Sequence, residues 1–405
     1  MASSRIVATG AEGQRCVVEL RCAEGPVARE IFFSCRPSGD SADPEAHAAA
    51  VYSTVLETLS AEGAGYGAVV SEWLFLRDVR ADLNTCRRSR QRALDASGAA
   101  NHRPALICLQ HPPLGTHAAL EVSIHAVIPK AGSALSGRGR ALTPDTQCGC
   151  AECSRCRGYL SQIGAERRLH TDNLYGDGTD AYRQTHSLFE LAEDLLRQAG
   201  MVFSDVTRTW IYLRAMERDY PDLNRARREF FRSRGIHPAP ASTGIGAGLA
   251  APEHDISLVF SALKADAVPP RVVMTTPTLN EAPVYGSDFS RGMRIADSNK
   301  TSLLVSGTAS LDETGATVHA GDFDGQAARM LFNVAALLEG QGATFEDIVS
   351  AITYVKDPDD ADRLRKKFRE SGFDGFPNTL VEAVVCRPEL LCETEVLAVL
   401  PRRTC

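Results

Sequence analysis

The sequence lacks long apolar runs, and no window approaches the roughly 18 consecutive apolar residues that a membrane-spanning helix requires. The N-terminal stretch MASSRIVATGAEGQRC has no apolar segment of signal-peptide length, so we expect a cytoplasmic protein. Positive charge is not in excess, because 44 Lys and Arg residues face 51 Asp and Glu residues for a net charge of −7. We therefore expect neither nucleic acid nor a membrane as a partner.

Several familiar catalytic motifs are missing as well: the sequence has no HExxH motif, Walker loop, GxSxG elbow or Rossmann fingerprint. Its composition, with 44% hydrophobic and 23% charged residues, excludes a collagen-like, coiled-coil or wholly disordered chain. At about 150 residues per domain, 405 residues predict two or three domains.

An internal repeat decides between two and three domains. Three segments share an apolar, β-rich run that ends in a basic residue and is followed by an acidic turn and a basic amphipathic helix: SEWLFLRDVRADLN from Ser71, RTWIYLRAMERDYPDLN from Arg208 and SAITYVKDPDDADRLR from Ser350. Apolar residues at helical spacing precede each segment, at 43–61, 181–200 and 325–342. A short strand-like run opens each repeat, and an apolar strand from Leu120, Ile256 or Cys392 closes it.

Each repeat therefore predicts strand–helix–strand–helix–strand. We predict units at 1–135, 158–266 and 301–405, joined by a Cys-rich connector at 136–157 and a second connector at 267–300.

The third repeat resembles the Rid (YjgF-like) family over residues 302–401, through its VSG, its Asp…Gln…Asn…Leu-Leu helix, its DIV strand and a late Arg followed by Glu-x-Glu. The first two repeats look like degenerate copies. The resemblance implies an α+β fold with two helices on one face of a mixed sheet, usually assembled as a trimer with sites in the clefts between subunits. Three copies in one chain predict an intrachain pseudo-trimer.

The same resemblance implies that Arg387 grips a substrate carboxylate and that Glu393 handles protons or water. A guanidinium can hold a carboxylate by two parallel hydrogen bonds, and a carboxyl with a raised pKa can donate and retrieve a proton. Taken without the resemblance, the two residues could equally form an ion pair at a strand end. Glu121 and Ser257 align with Glu393 but lack a preceding Arg, so we expect one complete site.

A further resemblance, to the chorismatase branch of this superfamily, covers roughly the last 245 residues. It rests on RTWIYL, YPDLNRARREFF, PASTGIG, YGSDFSRG, SGTAS and VVCRPELLCETE. These enzymes cleave chorismate to pyruvate plus a hydroxybenzoate or a dihydroxylated cyclohexadiene acid. The resemblance adds substrate-binding candidates: Arg227, Arg291, Tyr212, Gly292 and Cys386.

Two separated arginines suit a substrate with two carboxylates, although Arg227 and Arg291 could also be solvated surface charges. Three functions stay open. The first is a chorismatase-like hydrolase that requires no cofactor. The second is an enamine or imine deaminase, or a cyclase, acting on a biosynthetic intermediate, and the third is a non-catalytic metabolite-binding protein. The expected partner is a small-molecule carboxylate, and the expected state is a monomer or a low-order homo-oligomer.

A dense cysteine motif lies in the first connector, where Cys148, Cys150, Cys153 and Cys156 form C-x-C-x-x-C-x-x-C. Thiolates at this spacing are candidate ligands for zinc or an iron–sulfur cluster. A reduced, cysteine-rich loop is the alternative.

Overall fold

A computed structural model of the chain describes residues 4–9, 15–39, 43–130, 139–145, 148–163, 165–265, 271–281 and 288–401. Within these ranges the backbone forms three separate β-sheets and six α-helices. The fold is α+β, as predicted, and each repeat forms its own unit. No helix in these ranges combines the length and the apolar character that crossing a bilayer demands.

The elements of each unit follow in chain order. The first unit contains β1 Ser4–Thr9, β2 Arg15–Glu24, β3 Ala28–Ser38, α1 Pro44–Ala61, β4 Val69–Leu76, α2 Val79–Ala96, β5 Ala105–Gln110 and β6 Leu120–Pro129. The second contains β7 Arg140–Leu142, β8 Gly158–Ile163, β9 Glu166–Thr171, β10 Leu174–Tyr175, α3 Ala181–Gln198, β11 Val206–Leu213, α4 Met216–Arg234, β12 Ala241–Gly246, β13 Gly248–Leu249 and β14 Ile256–Lys264. The third contains β15 Arg271–Val273, β16 Gly292–Ala296, β17 Lys300–Ala309, α5 Phe323–Glu339, β18 Ile348–Val355, α6 Ala361–Ser371, β19 Asn378–Glu382 and β20 Cys392–Pro401.

The three sheets share a four-stranded core: β3-β6-β4-β5, β9-β14-β11-β12 and β17-β20-β18-β19. In each core the last two strands run parallel and the other neighbours run antiparallel. The predicted strand–helix–strand–helix–strand order is present, with an additional strand after the second helix. In the second unit, the run at 158–161 forms β8, and the counterpart of β3 and β17 is β9.

The first long helix of each unit begins at an aspartate. The side chains of Asp43, Asp180 and Asp322 each accept a hydrogen bond from a backbone N–H in the first turn, at 3.0, 2.9 and 3.2 Å. Such caps satisfy N–H groups that have no partner inside the helix. The basic helices α4 and α6 end at Gly235 and Gly372, whose φ angles of 61° and 69° suit glycine.

Both predicted connectors contribute strands. The strand β7 falls within 136–157 and pairs with β8, while β15 and β16 fall within 267–300 and extend the third sheet. The exact unit boundaries remain predictions.

The three units close into a ring by the same kind of contact. The segment after β12 pairs with β5 of the first unit, where Leu249 lies opposite Leu109. The segment after β19 reaches β12 of the second unit, where the Gly246 N–H donates to the Val384 carbonyl at 2.8 Å. The segment after β5 reaches β19 of the third unit through a 2.9 Å hydrogen bond from Leu114 to Leu380. A head-to-tail contact that closes after three copies is the geometry of a cyclic trimer, here within one chain.

Equivalent residues meet at the centre of the ring. Trp73, Trp210 and Ile352 occupy matching positions on β4, β11 and β18, and all three line one central cavity of about 200 Å³. The rings of Trp73 and Trp210 lie 5.0 Å apart. The matching positions of these residues around the central cavity support the repeat alignment. The three clefts between neighbouring units are separate from this cavity and could each hold a site.

Candidate active site

A cavity of about 250 Å³ lies in the cleft between the second and third units. The helix α4 contributes Tyr220, Asn224 and Arg227 to its lining, at a spacing that puts all three on one helical face. The remaining lining residues come from β12, from β17 and the loop after it, from the start of β20 and from the loops before β16 and β20: Ser242, Gly244, Phe289, Arg291, Gly307, Ala309, Leu311, Cys386, Arg387, Leu390 and Glu393. The fold thus brings together five of the seven catalytic and substrate-binding candidates.

Glu393 is the buried carboxyl that lines this cavity, and only 4% of it is exposed. Burial raises its pKa to about 8, with a further contribution from the negative charge of Glu395, while Arg208 and Arg291 act in the opposite direction. At neutral pH this side chain is therefore mainly a protonated acid facing the cavity.

Glu395 lies two residues further along β20 and has a different role. It accepts hydrogen bonds from Arg208 at 3.0 Å and from the Trp210 indole at 2.6 Å, both on β11 of the second unit. Its side chain is almost fully buried in this ion pair across the units. The two glutamates thus differ: Glu393 lines the cavity with a raised pKa, whereas Glu395 is held in an ion pair.

Three arginines surround the acid. Arg227 and Arg291 are 4% and 2% exposed, and their guanidinium carbons lie 5.9 and 5.5 Å from the centre of the Phe289 ring. Asn224 and the Asn280 carbonyl accept hydrogen bonds from them at 2.7 and 2.9 Å. Burial and these contacts show that neither arginine is a solvated surface charge.

Arg387 is half-buried in the loop before β20. It donates to the Gly315 carbonyl at 2.8 Å and to the Thr317 hydroxyl at 3.3 Å. These bonds orient the guanidinium on the third-unit side of the cavity, whereas Arg227 projects from the second unit. Cations on two sides of one cavity suit a ligand that carries two anionic groups.

Cys386 also lines the cavity. Burial raises its pKa to about 12, and the nearby Glu393 charge adds to the effect. Such a thiol stays protonated at neutral pH, so Cys386 is a wall of the cavity and not a thiolate nucleophile.

Two residues implied by the resemblance do not reach this cavity. Tyr212 is fully buried near the ring centre, where its ring packs against Trp73 and His111. Gly292 neighbours Arg291, and a Cβ at Gly292 would meet Met274 Sδ at 3.0 Å on the side of the strand away from the cavity. Side chains alternate between the two faces of an extended segment, so a neighbour of a cavity residue points elsewhere.

The small residue beside Glu393 is Gly307 on β17, to which the sequence pattern assigns no role. A Cβ at Gly307 would lie 1.9 Å from Glu393 Oε1 and 3.1 Å from Thr243 Cγ2. Its signal was present in the SGTAS motif, but only the paired strands show that Gly307 faces Glu393. Tyr220, Asn224 and Phe289 were missed for the same reason, since their role comes from neighbouring elements.

The positions aligned with Glu393 occupy the other two clefts. Glu121 pairs with Phe75 in the register in which Glu393 pairs with Tyr354. Its pKa is raised by burial, and it accepts a 3.2 Å hydrogen bond from Thr379 of the third unit. Ser257, the third counterpart, has no acidic group.

The cleft between the first and second units has a different lining. Its cavity of about 630 Å³ includes six arginines: Arg87, Arg88, Arg90, Arg103, Arg155 and Arg157. It also contains Asp172, whose pKa burial raises to about 7. The three clefts are therefore chemically distinct, and the one with Glu393 combines an acid with flanking arginines.

The cysteine motif lies outside the candidate active site. Ligand atoms of three of its members and of one distant histidine lie within 4.8 Å of one another and could hold a metal ion; we call this group the Cys–His cluster: Cys148, Cys150, Cys153 and His254. Cys156, also predicted as a ligand, is not part of it. Its Sγ instead donates to the Asn173 carbonyl at 3.0 Å.

Comparison with known proteins places the chain in a family. The model of the endoribonuclease L-PSP family matches residues 160–263 and 280–400. A RutC family protein of Pyrococcus abyssi is 32% identical over 98 residues, which make up 24% of this chain and 76% of that protein.

One solved structure is similar in fold to most of the chain. A chorismatase crystal structure is 18% identical with a TM-score of 0.57, covering 82% of this chain and 93% of that one. RidA from an Antarctic Psychrobacter species is 19% identical with a TM-score of 0.27, covering 32% of this chain and 99% of that one. Since the family model spans more than half of its residues, the chain belongs to the endoribonuclease L-PSP family, also called the Rid or YjgF family.

Proposed function

We propose that this protein is a chorismatase-like hydrolase that cleaves the enolpyruvyl ether of chorismate in the cleft between the second and third units. One observation carries the proposal: a buried carboxyl with a pKa of about 8 faces a cavity that has arginines on two sides. Chorismate has two carboxylates and an enol ether, so it requires both features.

The arginines supply binding and orientation. Arg387 would clamp one carboxylate, and Arg227 and Arg291, which both lie against the Phe289 ring, would attract the other. A guanidinium forms strong bidentate bonds with a carboxylate, above all where water is excluded. This arrangement would hold the ether between two anchored ends and beside Glu393.

Glu393 supplies the proton. Protonation of the terminal methylene carbon turns it into a methyl group and leaves an oxocarbenium ion at the ether carbon. Water adds to that carbon and returns a proton to the Glu393 carboxylate, and the resulting hemiketal collapses to pyruvate and the alcohol of the ring. A raised pKa suits this cycle, because the acid is protonated at the start and is regenerated at the end.

The direct test is pyruvate release from chorismate, followed with lactate dehydrogenase. We expect Glu393→Gln to lose about 10²- to 10⁴-fold in rate, as is typical when a general acid is removed. Glu121→Gln is the matched control, because it changes the aligned glutamate of another cleft and should leave the rate unchanged. Pyruvate release equal in wild type and Glu393→Gln would refute the proposal.

An enamine or imine deaminase is the second candidate, and the position of Arg387 and Glu393 within one unit favours it. A substrate with a single carboxylate needs only that pair, and protonation of an enamine carbon followed by water addition releases ammonia.

The Arg227→Gln variant distinguishes the chorismatase-like hydrolase from the deaminase. Hydrolysis of chorismate should fall about 10- to 100-fold because an ionic hydrogen bond is lost, whereas ammonia release from 2-aminoacrylate should persist. Tight binding of chorismate without turnover of either compound would indicate a non-catalytic binding protein.

We also propose that the protein acts as a monomer, since its internal ring already supplies the clefts that separate subunits would otherwise build. A reducing, cytoplasmic setting would keep its thiols available as ligands.

A further inference from the structure

The Cys–His cluster is independent of the proposed hydrolase site, and its members come from two distant parts of the chain. The three cysteines lie in the connector before β8, and His254 lies in the loop between β13 and β14, 101 residues after Cys153. Cys153 and His254 are 1% and 6% exposed, and the other two sulfurs are half-buried. A histidine buried against three thiols has little to gain from packing alone, so the grouping calls for a chemical explanation.

The geometry points to one Zn²⁺ ion bound by the Cys–His cluster. The three cysteine sulfurs lie 3.3, 3.6 and 3.4 Å from His254 Nε2, in chain order. Tetrahedral ligands of one Zn²⁺, at about 2.3 Å for sulfur and about 2.0 Å for nitrogen, are separated by about 3.5 Å. One ion at the centre therefore fits the three sulfur–nitrogen distances.

The second nitrogen of the histidine supports the same conclusion. His254 Nδ1 lies 3.0 Å from the Gly176 carbonyl, which can only accept a hydrogen bond. The proton of the neutral ring therefore sits on Nδ1, and the Nε2 lone pair points at the three sulfurs. Metal-binding histidines are commonly oriented in this way by a carbonyl on their other nitrogen.

The ligand set and its compactness favour zinc over an iron–sulfur cluster. Three thiolates and one imidazole form a closed Cys₃His site, a combination typical of structural zinc. An iron–sulfur cluster distributes its ligands over several iron atoms and needs them further apart than 4.8 Å. Binding displaces the three thiol protons and requires no redox partner.

A disulfide between Cys148 and Cys153 is the competing chemistry. Their sulfurs are 2.7 Å apart, longer than an S–S bond of about 2.05 Å and shorter than two zinc-bound sulfurs. A disulfide would leave Cys150 and His254 without a role, whereas zinc uses all four ligands.

The ion would fasten the connector to both neighbouring units. Glu152, inside the motif, forms two hydrogen bonds with Arg87 of α2 at 2.8 and 2.7 Å. His254 anchors the other side in the second unit, next to Arg214, which donates to the His254 carbonyl at 2.6 Å. Zinc would thus lock one wall of the arginine-lined cleft, to which Glu152 and Cys156 belong.

The test is the metal content of protein purified without an affinity tag, measured by mass spectrometry for wild type and two variants. We expect about one zinc per chain in wild type, none in His254→Gln, and about one in Cys156→Ser, because Cys156 is not a ligand. Loss of zinc from Cys156→Ser, its retention in His254→Gln, bound iron with sulfide, or a Cys148–Cys153 disulfide after reducing purification would each overturn the site.

Cobalt substitution of the wild-type chain keeps the test decisive if a variant fails to fold. Co²⁺ in this site should give the visible bands of tetrahedral cobalt and sulfur-to-metal charge transfer, and the absence of both would contradict the proposal. Chelation should lower the unfolding temperature while chorismate turnover at permissive temperature remains, which separates failure of this site from failure of the proposed function.

Discussion

The protonation state of Glu393 determines when the proposed hydrolase can act. Its pKa of about 8 means that the acid form dominates at neutral pH and is lost above pH 8. We expect kcat/KM for pyruvate release to be level from about pH 6 to pH 7 and to fall about tenfold per pH unit well above pH 8, because only the protonated enzyme is active. A rate profile from pH 5.5 to pH 9.5 measures this. A rate that instead falls toward acid pH would mean that Glu393 works as a base.

The absence of a side chain at Gly307 leaves space for the Glu393 carboxyl. Filling this space should therefore lower activity without unfolding the protein. In Gly307→Ala the new methyl group would collide with the Glu393 carboxyl, the movable end of a side chain, so the carboxyl shifts while the strands stay in place. Misplacement by about 1 Å can cost about 10²-fold in rate, and we expect a loss of that size in kcat.

Gly244→Ala is the matched control, because it adds a methyl group to the same cavity at an ordinary 3.5 Å contact with Tyr220. Its rate should stay within a few-fold of wild type, and its unfolding midpoint should match that of Gly307→Ala. Equal activity of both variants would show that Glu393 does not need its observed position.

At the scale of elements, the ion pair between β20 and β11 links the pKa of the acid to the packing of two units. The Glu395 charge helps to raise the pKa of Glu393, whereas Arg208 lowers it. In Glu395→Gln the lowering effect of Arg208 and Arg291 remains without the opposing charge, so the Glu393 pKa should fall and the alkaline limb of the rate profile should move to lower pH. A shift to higher pH, or none, would contradict this electrostatic coupling.

The same change should cost stability, since it leaves Arg208 buried without its carboxylate. We expect a loss of about 3 kcal/mol in the free energy of unfolding, measured by denaturant titration. Glu370→Gln is the control: this exposed glutamate makes only surface pairs with Lys366 and Lys367, which contribute little.

Element order was largely predictable from the sequence, and element pairing was not. Apolar spacing placed α1, α3 and α5 to within a few residues, because a helix buries one face whatever it packs against. The strand β12 was missed because its sequence, ASTGIG, has small residues and two glycines, and it is a strand only because β11 pairs with it.

Site residues divide in the same way. The sequence motifs identified Arg227, Arg291 and Arg387, which line the cavity, because each motif lies within or next to a single element. Contacts between residues of different elements are not contained in such motifs. The contact of Gly307 with Glu393, for example, depends on the register of two paired strands. His254 joins three cysteines over about a hundred residues, a distance at which sequence spacing carries no signal.

On the scale of the whole molecule, a buried charge network joins the three units beside the central cavity. Glu30 of the first unit is fully buried and lies 3.0 Å from Arg168 of the second unit. It also pairs with Lys300 of the third unit and accepts a 3.1 Å hydrogen bond from Asn299. Glu30 therefore balances cations contributed by both other units, and Asp297 shares Arg168 with it at 2.8 Å.

A ring closed within one chain predicts a single mass in solution. The scattering mass should be near 43.7 kDa across a wide range of protein concentration, because the contacts that would join separate subunits are already made inside the chain. Light scattering after size exclusion measures it, and a stable homotrimer of the whole chain would contradict the prediction.

Glu30→Gln tests whether this network holds the ring together. Burial by itself would raise the pKa of Glu30, but the charges of Lys300 and Arg168 outweigh it and hold the pKa well below its ordinary value of 4.5. The ionised carboxylate thus stabilises the folded state above about pH 4.5, and this contribution is lost as the pH falls through the lower folded-state pKa. At pH 7 the variant leaves the buried Lys300 without its carboxylate, whereas Arg168 keeps Asp297 and Glu166 as partners. We expect the free energy of unfolding to be about 3–5 kcal/mol lower than that of wild type. The difference in unfolding free energy between variant and wild type should narrow in strongly acidic buffer, where wild type also loses the charge.

The control is Glu24→Gln, which removes a carboxylate whose pairs with Arg29 and Lys130 are solvent-exposed. Its free energy of unfolding should stay within about 1 kcal/mol of wild type at both pH values. If Glu30→Gln were as stable as that control at pH 7, the buried network would be incidental and the backbone contacts between units would suffice to close the ring.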